Sequence, residues 1–71
     1  MNPEAIRSLL AQQPFMPFAI CMSSGERHEI RHPECVALGR SRLIITFPED
    51  NDRFVICALI HVNAVEQLQA S

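Results

Sequence analysis

Apolar positions recur at helical spacing at the start of the chain and alternate with polar ones along the strands that follow, except in the continuously apolar run Phe54 to Ile60. Ile6, Leu9 and Leu10 recur at helical spacing behind Asn2-Pro3-Glu4, which carries a capping side chain, a proline suited to the first turn and an acid at the positive end of the dipole. This predicts a helix over about 3–12. Pro14 and Pro17 then force an extended approach to the next element. Phe18, Ile20 and Met22 alternate with Ala19, Cys21 and Ser23, and His28, Ile30 and His32 alternate with Arg27, Glu29 and Arg31, so two half-buried strands are expected. A two-residue turn at Ser24-Gly25 would pair Ile20 with Glu29 and mix the faces. A turn of Ser23, Ser24 and Gly25 pairs Ile20 with His28 and Phe18 with Ile30, and is the expected one.

His32-Pro33-Glu34 breaks the second strand, and Cys35 to Leu38 forms a short third. Arg42 to Phe47 and Arg53 to Ile60 flank the loop Pro48-Glu49-Asp50-Asn51-Asp52 and read as a hairpin. The end of the chain, His61 to Ser71, reads either as helix, from the spacing of Val62, Val65 and Leu68, or as a last short strand, which its length favours. The expected fold is mainly β: a single domain over 1–71, with a small antiparallel five-stranded barrel over about 17–69 behind an N-terminal α-helix.

The order of elements resembles the Sm-like proteins, including the bacterial Sm-like RNA chaperone. Ala19-Ile20-Cys21-Met22-Ser23-Ser24-Gly25 is similar to the apolar strand and glycine turn of the first Sm motif, and Ile60-His61-Val62-Asn63-Ala64-Val65 to the histidine-bearing turn before the last strand. The resemblance implies an Sm-like or SH3-like barrel and contact with RNA. The corner Arg31-His32-Pro33-Glu34-Cys35 lacks the Asp and Asn that contact the base in Sm proteins, and Ile60 stands where the bacterial chaperone has lysine. The fold inference therefore carries further than the RNA inference. The chain is also similar to short bacterial proteins with Pro-Phe-x-Pro-Phe and His-Pro-Glu, here Pro14 to Phe18 and His32 to Glu34. No activity attaches to that group.

Charge sharpens the choice. In a chain of 71 residues with net charge -2, residues 27–42 carry Arg27, Arg31, Arg40 and Arg42 against Glu29 and Glu34, a local excess of +2. Those four arginines with His61 are the candidate RNA rim. An acidic total charge and the absence of Tyr and Trp weigh against it, and RNA stays the alternative. Cys21, Cys35 and Cys57 cannot all pair within one chain and lie in apolar runs, so they are expected to be reduced core residues. The longest apolar stretch, Val55 to Ile60, is far short of the roughly 20 residues of a membrane-spanning helix, and Met1-Asn2-Pro3-Glu4 has no leader character. A cytoplasmic protein with no membrane contact is expected.

His28, His32 and Cys35 give H-x3-H-x2-C, but a closed zinc site needs a fourth ligand from Cys21, Cys57 or His61, and there is no C-x-x-C; no metal and no cofactor are expected. Cys35, His32 or His61, and Glu34 supply the residue types of nucleophilic catalysis without an evident pocket, so no enzyme and no catalytic residue are expected. The strongest functional signal is apolar content on both faces of a strand. Ile44 opposes Leu43 and Ile45, while Val55, Cys57 and Leu59 oppose Phe54, Ile56, Ala58 and Ile60. One face must meet something other than water. The expectation is an interaction module that forms a homo-oligomer through its sheet edges, with Ile44, Val55, Cys57 and Leu59 at the interface.

Overall fold

The computed structural model describes residues 2–68. Helix α1 (Pro3–Leu10) begins as its sequence dictates: the Asn2 Oδ1 accepts from the Glu4 N–H at 2.9 Å, and Arg7 pairs with Glu4 one turn along. It ends at Leu10, earlier than the periodicity predicts. Position 13, next on the apolar stripe, is an exposed Gln, so nothing draws another turn onto the core. Ile6 is fully buried and anchors the helix.

Six strands follow: β1 (Phe18–Met22), β2 (Arg27–Ile30), β3 (Val36–Leu38), β4 (Arg42–Phe47), β5 (Arg53–Ala58) and β6 (Val62–Gln67). They form two antiparallel three-stranded sheets, ordered β2-β1-β6 and β3-β4-β5. The β1–β2 register pairs Phe18 with Ile30 and Ile20 with His28, as the three-residue turn predicts. Met22 closes that turn: its N–H donates to Glu26 O, and its carbonyl accepts from the Gly25 N–H. Gly25 sits at φ 96°, a conformation that disfavours any residue with a Cβ.

The mainly β architecture with an N-terminal helix is as expected, with six strands rather than five, in two sheets that do not close into one barrel among the described residues. Short 3-10 turns at Pro33–Cys35 and Leu59–His61 carry the chain from one sheet to the other. At the first, Pro33 ends the ladder as it must. At the second, Leu59 and Ile60 leave the expected long fifth strand, and a separate sixth strand pairs with β1. The C-terminal segment is thus strand through Gln67; the expected barrel end at 69 and the remainder to Ser71 lie outside the described residues.

The core lies between the sheets. Phe18, Ile20 and Ile30 from the first sheet meet Leu43, Ile45 and Cys57 from the second, with Ile6, Leu59 and Val62 completing the buried cluster. Of the three cysteines only Cys57 is buried; Cys21 and Cys35 are half-buried, and all three are free thiols. Among the described residues, no helix is long and apolar enough to cross a membrane.

Candidate functional site

The two sheets treat their outward faces differently. On the first sheet, Ala19 of the central strand has Glu29 beside it on β2 and Glu66 on β6. Arg27 bonds both carboxylates, at 2.9 Å and 3.4 Å, so its guanidinium bridges from β2 to β6 across β1. Arg31 also bonds Glu29, at 2.8 Å. These contacts, Arg27 foremost, hold the Glu29 carboxyl below its ordinary range, and Glu29 in turn raises Arg27. Ala19 is fully buried beneath this charged roof.

The second sheet has no such roof. On its outward side Ile44 lies opposite Ile56, Thr46 opposite Phe54, and Arg42 opposite Ala58. Phe54 is 61% exposed and Ile56 55%; Ile60, in the turn that follows, is 82% exposed. These are the exposed large hydrophobic residues among those described. β5 is also a sheet edge, bonded to β4 on one side only.

This placement corrects the face expected of β5. Val55 and Cys57 pair with Ile45 and Leu43 and share their inward direction. Cys57 and Leu59 are buried in the chain's own core, and Val55 packs against it; of the four expected interface residues only Ile44 lies on the outward face. Both faces of β5 are apolar, so composition does not choose between them. The partner strand does, because alternation on β4 is unambiguous at Leu43 and Ile45. Burial raises the Cys57 thiol above its ordinary range, with Glu26 adding to the effect.

The other three edges are protected. β2 carries Arg27 and Glu29, with Arg31 just beyond its end, β6 exposes Asn63, Glu66 and Gln67, and β3 is three residues long. Charge and brevity are how edges resist pairing. From Phe54 to Ala58, β5 has neither charge nor proline. A shallow depression borders it, walled by Ile56, Cys57 and Ala58 on one side and by Ser23, Ser24, Glu26 and His61 on the other.

The candidate arginines do not form one rim. Arg27 and Arg31 line an open cleft of about 350 Å³ between β2 and the β4–β5 turn, whereas Arg40, Arg42 and His61 lie outside it. Within the cleft the Arg53 guanidinium lies 4.5 Å from the Phe47 ring centre and bonds Asp50 at 2.8 Å, so its charge is already partnered. Sequence reasoning placed neither contact: Glu66 meets Arg27 only across β1, whereas Arg53 and Asp50, three residues apart around the β4–β5 turn, gave a local signal that could have found them.

Cys35 and His32 line the same cleft but His61 borders the other depression, and the hydrogen bond between Cys35 and His32 is a backbone one, from the Cys35 N–H to the His32 carbonyl at 3.1 Å. The Cys35 carbonyl accepts from Thr46 Oγ1 at 3.2 Å. No three His, Cys, Asp or Glu side chains of the described residues gather as metal ligands. The chain matches no protein-family model, no curated protein and no solved structure at a significant level.

Proposed function

We propose that this chain is a non-catalytic interaction module, a small barrel of the Sm-like or SH3-like kind, that associates with copies of itself through the outward face and open edge of its second sheet. The observation that carries the reading is the row of Phe54 and Ile56 on an unprotected edge strand, more than half exposed. Taking a Phe or Ile side chain fully out of water contributes ~1.5–3 kcal/mol, so even partial burial of this row favours association. Two crossings between sheets and the β1–β6 pairing support the barrel-like reading, and three free thiols support a reducing compartment such as the cytoplasm.

Sedimentation velocity over a concentration series tests the proposal, with Phe54→Glu and Ile56→Glu as the probes. Reversible association that either substitution abolishes, with the fold intact by circular dichroism, is the expected result. Association indifferent to both would remove the second sheet from the interface.

A further inference from the structure

We propose that His28 is a proton-operated clasp across the cleft between β2 and the β4–β5 turn: neutral, it packs against Phe47, and protonated, it withdraws to the Glu26 carboxylate and frees the turn. His28 lies opposite Ile20 of β1 and shares the inward direction of the buried Phe18, Ile20 and Ile30. Its side chain is 10% exposed. The imidazole meets the Phe47 ring of the second sheet, 6.4 Å between centres and tilted by 45°. That same ring carries the Arg53 guanidinium at 4.5 Å, which Asp50 holds in place. The polar neighbour of His28 is Glu26, whose Oε2 stands 3.6 Å from Nε2, too long for a hydrogen bond.

Histidine is the side chain that ordinarily changes charge between pH 5 and 8. A proton taken from solvent onto this imidazole meets several effects that act in one direction. Burial among apolar side chains penalises the charge. Arg53 is a permanent cation on the ring that His28 packs against, and it repels a second one. The attraction of an aromatic face for a cation fades beyond about 6 Å, so a ring 6.4 Å away returns little. Glu26 offers the opposite. Its side chain is 67% exposed, so it draws the imidazolium toward water, and a small movement closes the gap to the about 2.7–2.9 Å of a charge-assisted bond.

The other charges around His28 leave Glu26 as the acceptor. On its own strand Arg27 pairs with Glu29, and Arg31 beyond the strand end pairs with the same carboxylate. The facing strand β1 sets the uncharged Ile20 opposite. On the far wall Asp50 is taken by Arg53, while Glu49 also lines the cleft. Capture by Glu49 would pull the imidazolium across the cleft and tighten it, which is the reverse outcome. His61 borders the depression that Glu26 walls, and His32 lines the cleft, so both need control variants. The window in which a glutamate is charged and a histidine protonated ordinarily runs from about pH 4.3 to about 6.5.

Nuclear magnetic resonance on the full chain, titrated from about pH 8 to about 5, tests the clasp. The cross-relaxation peak between the His28 and Phe47 rings should be present at the upper end and disappear as the imidazole charges. The Phe47 and Arg53 amides should shift with the same midpoint. His28→Gln should hold those amides still, whereas His32→Gln and His61→Gln should leave their shift in place. Glu26→Gln changes an exposed side chain and removes the destination, so it should keep His28 against Phe47 throughout; Glu49→Gln should alter nothing. Should His28→Gln not fold, the ring contact and Glu26→Gln decide the matter. A His28–Phe47 contact that survives protonation of His28, a loss of contact that Glu26→Gln does not prevent, or a His28 that stays neutral down to about pH 4.3 overturns the clasp.

Discussion

Ile44 and Ile56 stand opposite each other across the β4–β5 ladder, on the side of the second sheet that faces away from the core. Ile56 is more than half exposed, although the equivalent side of the first sheet is closed by the Arg27 bridge between Glu29 and Glu66. One sheet is thus finished for water and the other is not. That asymmetry is the basis for proposing an interaction role.

The inward parity of β5 predicts that neighbouring residues at its end respond differently to truncation. Leu59 is 2% exposed and Ile60 82%. Leu59→Ala should cost about 2–5 kcal/mol of folding stability. Ile60→Ala should stay within about 0.5 kcal/mol of wild type. Urea denaturation of the two variants checks the assignment; equal losses would contradict it.

Gly25 predicts a backbone effect without a packing effect. A Cβ at this position would meet nothing within 4 Å, yet φ is +96°. Gly25→Ala should therefore destabilise the hairpin by about 1–2 kcal/mol through conformation alone. Thermal denaturation measures the loss, and Gly25→Asn, which tolerates left-handed backbone better, should lose less.

The charged roof predicts an acid limb in the stability profile. Arg27 and then Arg31 lower the folded-state pKa of Glu29 beneath its reference value of 4.5. A lowered pKa contributes stability above the unfolded value, and the contribution disappears as pH falls through the folded one. Wild type should exceed Glu29→Gln in stability at neutral pH, with the difference shrinking below pH 4.5. Denaturation midpoints from pH 7 to about 2.5 check this. A difference that does not change with pH would mean that the ion pairs are not its source.

Local chemistry was legible wherever one short segment decides the outcome. Asn2-Pro3-Glu4 starts the helix, and the Ser23-Ser24-Gly25 turn with the β1–β2 register follows from keeping apolar and charged faces apart. The end of the helix was less legible, because Gln13 withholds an apolar side chain but does not by itself stop a helix. The inward face of β5 could not be read from β5 alone: Phe54 and Ile56 are larger than Val55 and Cys57, yet only the ladder to Leu43 and Ile45 sets which pair is inside. Glu66 reaches Arg27 across 39 positions of sequence, a distance no local pattern spans. The break between β5 and β6 was hidden for a related reason. Leu59 and Ile60 continue an apolar run, while the turn that parts them from β5 is held by Ser41 O and by the Ser23 N–H on His61 O.

Sedimentation velocity on the wild-type chain and on Ile56→Glu, from a few to several hundred micromolar, bears most directly on the claim that the second sheet's outward face and open edge join copies of this chain; micromolar-range dissociation is what a small interface of this kind gives. The account predicts a sedimentation coefficient that rises with concentration toward that of a dimer for wild type and stays at the monomer value for Ile56→Glu. A wild-type chain that remains monomeric throughout, or an Ile56→Glu variant that associates as wild type does, would contradict it.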